Sequence, residues 1–495
     1  METVILVAYG LALALLFTYN LHQVSLIYSY IVHKKRRDAY FRNFAARPDE
    51  QLPVVTIQLP IYNELYVAER LIDAVCSLRY PASKLEIQML DDSTDETVEI
   101  IARKVAEYQQ KGIDIKHIRR PDRKGFKAGA LAYGLERARG QFISIFDADF
   151  MPEPEFLLKT IPHFEDPKVG IVQTRWTHLN QDYSVLTKLQ AFGLNAHFFI
   201  EQSGRNAEGY FMNFNGTAGV WRKTAILDAG GWSSDTLTED LDLSYRAQLR
   251  GWKFVYREDI GSPAELPVAM NALKSQQYRW MKGAAECARK LMTRVLTAPH
   301  VPFRVKVHAF FHLLSSSTFV LVLAMAVLSV PVLFVRITHP ELTTAFYLIS
   351  FFQLNLLILI LFYGIPFWLE RRNEVGKIGY YFLMYSCLMM GLSLHNGLAV
   401  IEGFIGRKTP FIRTPKFNVR AVGDRWSGNK YMLLDLSPAI NWLTVTEGIL
   451  SLYFLTGVAM GLYFGQYNML VFHCMLAFGF GMVFWYSVSH ARLQA

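Results

Sequence analysis

The chain has 495 residues, with 51 Lys or Arg against 42 Asp or Glu, a formal charge of +9. Apolar residues make up 52% and charged residues only 19%, short of the roughly one quarter usual in soluble domains, which argues against a disordered chain and against a wholly soluble fold. Cys76, Cys287, Cys387 and Cys474 are too widely spaced for a disulfide framework or a zinc pattern, so a reduced, cytoplasm-facing protein is expected.

Residues 4–32, 313–335, 345–369, 378–400 and 448–488 contain no Asp, Glu, Lys or Arg. About 20 apolar residues span a bilayer core, so each stretch is a candidate membrane segment. The last is long enough for two passes, with a break at Gly465-Gln466-Tyr467-Asn468. Residues 4–32 are too long for a signal peptide, and a basic cluster stands where a cleavage site would, so they read as a retained helix. That cluster, His33-Lys34-Lys35-Arg36-Arg37, puts the long segment from residue 38 onward in the cytoplasm by the positive-inside rule. A crossing at 378–400 would carry Arg407, Lys408, Arg413, Lys416, Arg420, Arg425 and Lys430 outside. That stretch, which also holds Ser386, Ser393, His395 and Asn396, is therefore expected to lie in the membrane interface. Five crossings result. Gln353, Asn355, Asn441, Trp442 and Glu447 are the polar or aromatic residues that could line a passage through them.

Between residue 53 and about residue 257 the pattern changes. Runs at 54–59, 87–90, 113–118 and 142–146 read as strands, and 63–77, 94–110 and 128–138 as helices. The alternation predicts a doubly wound α/β sheet, whose ligands bind at the carboxyl ends of the strands. Tyr62, Asn63 and Glu64, then Asp91 and Asp92, then Asp147 and Asp149 fall at those ends. The glycine-rich dinucleotide and P-loop motifs are absent, so those two modes of nucleotide binding fail.

Each motif has a plain structural reading beside a functional one. Asp147-Ala148-Asp149 suits a strand-to-loop turn, and equally a divalent cation holding a diphosphate. Asp91-Asp92-Ser93 suits a helix cap, and equally a carboxylate for a base or ribose. Thr238-Glu239-Asp240 places acids at a helix start, where they complement the dipole; one of them would serve as general base. Gln276 and Arg279 share a helix face and would grip a diphosphate, with Trp280 as a flat platform for a sugar ring; the plain reading is an interfacial helix anchored by Trp. Phe214 to Gly219 is a small-residue loop that would let backbone approach a ligand. Lys124 and Lys127 set cations at a helix start, against the dipole preference, which points to an anionic ligand.

The order of these motifs is more specific than any one of them. Asp-Asp, Asp-x-Asp, Thr-Glu-Asp and Gln-x-x-Arg-Trp, in one α/β region flanked by apolar helices, resemble the processive family 2 glycosyltransferases. Phe214-Asn215-Gly216-Thr217-Ala218-Gly219-Val220-Trp221-Arg222, Gly251-Trp252-Lys253 and Glu265-Leu266-Pro267 are nearest in texture to the plant cellulose-synthase-like mannan and glucan synthases. The resemblance implies a GT-A-type α/β domain inserted between transmembrane helices. Its implied layout is a membrane helix at 1–33, the glycosyltransferase domain at 34–270 and interfacial helices at 271–312. Two membrane helices follow at 313–369, an interfacial helix and basic loop at 378–430, and two more membrane helices at 441–490.

By the same resemblance the donor is a nucleotide-diphospho-sugar, UDP-glucose ahead of GDP-mannose. Tyr62, Glu64, Asp91, Asp92, Lys127, Asp147, Gln276 and Arg279 would bind it, with Asp147 and Asp149 holding Mg2+ or Mn2+. Asp240 would be the general base. Trp280, Asn215, Gly216 and Glu239 would bind the acceptor. Phe411, Thr414 and Lys416 match a gating loop, with Arg413 where Val is usual. The implied protein sits in an inner or Golgi-type membrane, catalytic domain cytoplasmic, and lengthens and exports a β-linked polysaccharide. Any accessory export or regulatory subunit would be a separate chain. Two alternatives stand beside this reading: a transferase adding one sugar to a membrane lipid, and a transporter with a nucleotide-sensing domain. Nucleic-acid binding is not expected, because the basic clusters lie beside apolar segments where anionic lipid accounts for them.

Overall fold

The computed structural model describes residues 2–42, 48–342, 344, 346, 351–352, 354–426, 431 and 441–492. Gln353 and Lys430, named above, lie outside these residues. Seven strands form one sheet: β1 (Val55–Ile61), β2 (Leu85–Asp91), β3 (Ile115–Ile118), β4 (Phe142–Ile145), β5 (Val169–His178), β6 (Gly219–Arg222) and β7 (Lys253–Ala264). Their order is β3-β2-β1-β4-β6-β5-β7. The first four are mutually parallel. β6 runs antiparallel to both β4 and β5, so the sheet is mixed where a wholly parallel winding was the simpler expectation. Chain order reverses between β1 and β4, and such a switch point opens a crevice beyond the strand ends.

β1 and β2 are buried along almost their whole length because helices cover both faces. Leu71, Ile72 and Val75 with Ile101 and Val105 pack on one face. Leu131, Leu135, Ile226 and Leu243 pack on the other.

Two helices begin later than their sequence pattern suggests. The helix expected from residue 63 is Ala68–Cys76, and the one expected from 94 is Thr97–Gln110. The cause is local. Asn63 has φ +54°, its N–H donates to Ser93 Oγ (2.9 Å), and its side-chain oxygen accepts from the Thr94 N–H (2.8 Å). These bonds tie the turn after β1 to the turn after β2, and side chains that bond nearby backbone compete with helix formation.

Among the described residues four helical stretches are long and apolar enough to cross a membrane: Glu2–Lys35, Ser315–Thr338, Trp442–Tyr463 and Tyr467–Ala491. Leu354–Glu370 is a shorter apolar helix. Residues 378–400, expected as one interfacial helix, fall in two, Ile378–Gly391 and Ser393–Ile405, bent by 51°. Gly391 sits so tightly against Gly479 that a Cβ on it would stand 2.2 Å from the Gly479 carbonyl oxygen. Two residues of the basic cluster after the first apolar run are engaged by the protein itself. His33 pairs with Glu208 (3.0 Å), and buried Arg37 pairs with Glu258 (2.9 Å), so the helix Glu2–Arg42 docks on the α/β domain.

The long helix Met270–Thr297 is held to Trp442–Tyr463 by Lys274 Nζ and Glu447 Oε2, 2.6 Å apart and both buried. Removing one partner of a buried ion pair strands the other charge, at a cost of about 3–5 kcal/mol. Glu447→Ala is therefore expected to lower the thermal midpoint of the detergent-solubilised protein. The Lys274→Met, Glu447→Leu double variant should recover much of that loss.

Candidate active site

A cavity of about 200 Å³ opens at the carboxyl ends of β1, β2 and β4. Its nucleotide-facing expectations meet there: Tyr62 and Glu64 after β1, Asp92 after β2, Asp147 and Asp149 after β4, and Lys127. Asn215 and Gly216 line the same cavity, as do Glu239 and Asp240. Gln276, Arg279 and Trp280 complete it from the helix Met270–Thr297, and Phe411, Thr414 and Lys416 from the loop.

Asp91 is the exception among the expected donor-binding residues. It does not line the cavity; its buried carboxylate pairs with His117 Nε2 (2.7 Å) and accepts from the Ser93 N–H (2.8 Å). Burial alone would raise its pKa, but these bonds outweigh burial and hold it below the usual range. Asp91 thus organises the turn that presents Asp92. Asp92 itself is gripped on both oxygens by Arg120 (2.7 and 2.5 Å), the bidentate geometry that fixes a carboxylate most firmly.

Lys127 is the hub of the cavity floor. Its ammonium donates to Asp147 Oδ1 (2.5 Å) and to the Gly216 carbonyl (2.8 Å). Burial works against this charge, but Asp147, Glu239 and Asp240 outweigh it and hold its pKa above the usual value. Glu239 and Asp240 start the helix Glu239–Leu249, where the positive end of the dipole favours carboxylates. Burial nevertheless raises Asp240 to about 7, and the charge of Glu239 adds to the rise. Gly216, at φ +82°, passes close beneath: a Cβ there would stand 2.8 Å from Asp240 Oδ2. Only glycine meets both conditions without cost.

Arg279 donates to Thr414 Oγ1 (2.7 Å), and its guanidinium lies 4.7 Å from the Phe411 ring. Burial lowers its pKa to about 10, still far above cellular pH, so the cation persists. Phe411 stacks on Phe126 at 5.6 Å. Arg413, the departure from the gating-loop pattern, has a defined role in this fold. It pairs with Glu64 Oε2 at 3.0 Å and lies 4.4 Å from the Tyr431 ring. Burial raises Glu64 to about 7, and the charges of Arg413 and Lys416 oppose the rise.

Asp147 and Asp149 offer hard oxygen ligands of the kind Mg2+ and Mn2+ prefer. Each carboxylate already carries one ammonium, Lys127 on Asp147 and Lys416 on Asp149 (2.8 Å). Among the described residues no group of three or more His, Cys, Asp or Glu forms a metal cage. The residues therefore fit a cation that takes two protein carboxylates and completes its shell with diphosphate and water.

Reading the motifs missed Arg123, Trp176, His178 and Glu265, all on the cavity wall. The Arg123 guanidinium lies 3.2 Å over the Tyr62 ring. Glu265 accepts from Arg70 (3.1 Å) and from the Phe417 N–H (2.9 Å). Trp176 and His178 stand two apart at the end of β5, a strand the sequence reading did not pick out; the apolar start Val169-Gly170-Ile171-Val172 was the available signal.

A mixed α/β sheet with an acid- and base-lined cleft at its switch point is the GT-A-type glycosyltransferase architecture. The family model described as "Glycosyltransferase like family 2" matches residues 53–283. Glucomannan 4-beta-mannosyltransferase 7 of Arabidopsis thaliana is 35% identical over 405 residues, covering 78% of this chain and 72% of that protein. Probable glucomannan 4-beta-mannosyltransferase 7 of Oryza sativa subsp. japonica is 39% identical over 330 residues, 64% of this chain and 56% of its own. Probable glucomannan 4-beta-mannosyltransferase 4 of the same rice is 44% identical over 264 residues, 52% and 48% of the two chains. The matched stretches thus span from about half to 72% of these relatives. The chain belongs to glycosyltransferase family 2.

Proposed function

We propose that this protein is a membrane-embedded, inverting β-mannosyltransferase that lengthens a 4-linked polysaccharide from a nucleotide-diphospho-sugar. The observation that carries the reading is one cavity that gathers Asp240, raised to about 7, with the cations Lys127 and Arg279. Inverting transfer needs those two things: a base on the acceptor hydroxyl and charge on the departing diphosphate.

The relatives described above are all named glucomannan 4-beta-mannosyltransferases, two of them as probable ones. The order UDP-glucose before GDP-mannose, expected from the sequence, has no support among them, and GDP-mannose takes first place. Their names also favour a polymer over a glycolipid product. Four helices of membrane-crossing length and apolarity support an integral membrane protein, with the α/β domain on the cytoplasmic side.

In this reading Tyr62, Glu64 and Asp92 bind the nucleoside, with Arg120 fixing the Asp92 carboxylate. Lys127, Gln276 and Arg279 bind the diphosphate. Asp147 and Asp149 hold a divalent cation, which when bound would supply further positive charge to the diphosphate. Asp240 takes the proton from the acceptor hydroxyl as the new bond forms. Trp280, Asn215, Gly216 and Glu239 seat the acceptor. Phe411, Thr414 and Lys416 close the cavity from above, with Arg413 latching the loop to Glu64.

The test offers the detergent-purified protein GDP-mannose, UDP-glucose, UDP-galactose and UDP-N-acetylglucosamine separately, with Mg2+ or Mn2+. GDP released from GDP-mannose alone, with a polymer cut by β-mannanase, is the expected result. Release accompanied only by a lipid-soluble labelled product would replace the polymer with a glycolipid. No release from any donor would overturn the transferase reading.

A further inference from the structure

Two buried donors on the cavity lining, Trp176 Nε1 and Asn215 Nδ2, have no hydrogen-bond partner among the described residues, and His178, two residues from Trp176, lines the same cavity with Asn195 as its side-chain partner. Buried donors and acceptors are normally paired, so orphans facing one cavity mark where a ligand supplies the missing partners. Trp176 and His178 lie two apart on β5 and therefore on the same face of the strand.

All three side chains are held in place by other contacts. The Trp176 ring packs against Phe150 (5.3 Å) and Phe198 (5.2 Å). The Asn215 oxygen is taken by Asn213 Nδ2 (2.7 Å) and His197 Nε2 (3.2 Å), which leaves its NH2 group for the cavity. His178 is neutral at cellular pH, because burial lowers its pKa to about 4 against the opposing hydrogen bond with Asn195. A neutral imidazole has one donor and one acceptor, and an indole N–H and an amide NH2 only donate. None of the three carries charge, whereas the cations of the cavity are Lys127 and Arg279. Apolar Leu194, Pro267 and Trp280 line the same cavity. Uncharged donors and an acceptor beside apolar and aromatic surface match a sugar ring, which shows hydroxyls on its edge and C–H groups on its faces.

The position of this wall distinguishes acceptor from donor. Asn195, the hydrogen-bond partner of His178, donates to the Glu370 carboxylate. Glu370 ends the apolar helix Leu354–Glu370. The His178 end of this wall thus lies toward the membrane helices, whereas Tyr62 and Asp92 lie at the ends of β1 and β2.

We infer that Trp176, His178 and Asn215 form a subsite that grips hydroxyls of the acceptor chain behind its growing end. This deepens the transferase reading above and rests on it for the identity of the sugar.

The test is direct binding of β-1,4-mannohexaose to the full-length protein in detergent, with GDP and Mn2+ binding as the control. Trp176→Phe keeps the ring and removes the N–H; His178→Phe keeps an aromatic ring of similar size and removes both nitrogens. Each is expected to weaken mannohexaose about tenfold, the value of one hydrogen bond, while GDP affinity stays unchanged. Unchanged mannohexaose affinity in both variants, or GDP affinity falling alongside, would overturn the subsite. So would a wild-type protein that binds no mannohexaose. A wild-type protein that binds mannohexaose through these residues yet releases nucleotide from no donor would keep the subsite and sink the transferase reading instead.

Discussion

Asp240→Asn is expected to lower turnover by about 10²–10⁴-fold, the usual contribution of a positioned general base, while GDP affinity stays near the wild-type value. The exchange preserves size and the bond from the Leu241 N–H (2.8 Å), so the helix start survives and only proton acceptance is lost. The wild-type pH profile carries the same information. Burial, aided by the charge of Glu239, holds Asp240 protonated up to about pH 7. Only the deprotonated form can act, so turnover should fall as pH drops below about 7 and level off above it. Asp240→Asn should remove that acid limb from whatever activity remains. Nucleotide release at saturating GDP-mannose, followed from pH 5.5 to 8.5 for both proteins, decides the matter. A variant that loses GDP affinity as much as turnover would make Asp240 a structural residue.

Arg279→Ala should cost about 10²–10³-fold in turnover, the scale for losing one preorganised charge from a transition state. Its geometry predicts a second effect. Arg279 donates to Thr414 and lies over the Phe411 ring, so the same change unpins the loop that roofs the donor. KM for GDP-mannose should rise together with the fall in turnover. Arg279→Lys separates the two. It keeps a cation for the diphosphate but loses the planar guanidinium that reaches Thr414 and stacks on Phe411. The expected pattern is partial recovery of turnover with KM still raised. A variant whose KM alone changed would make Arg279 a loop anchor with no part in leaving-group stabilisation.

Several consequences of the fold were legible in the residues themselves. Strand-end carboxylates such as Asp92, Asp147 and Asp149 follow apolar runs in an order that leaves few architectures open, and Gln276-x-x-Arg279-Trp280 shares a helix that its own periodicity predicts. These signals are local, spanning a few residues each, so an unfolded string carries them intact. The distinction between Asp91 and Asp92 is different in kind. Adjacent residues leaving a strand point in opposite directions, and only the packing of His117 and Arg120 decides which one reaches the cavity.

The long-range pairs were equally hidden. Lys416 and Asp149 stand 267 positions apart, yet the loop brings the ammonium onto the carboxylate. Arg413, which looked like a departure from pattern, finds Glu64 across the cavity. β6 enters antiparallel, and residues 378–400 break into two helices against Gly479, because neighbours distant in sequence set strand direction and helix approach. By itself the sequence determined the class of fold, the apolar segments and most of the side chains that meet in the cavity, since each is written as a short periodic or ordered motif. Tertiary structure alone decided which carboxylates are free, which cations sit on them, how far burial lifts Asp240, and that Trp176 and His178 face the same cavity as Asn215. Those properties depend on desolvation and on contacts between elements, and neither exists until the chain has folded.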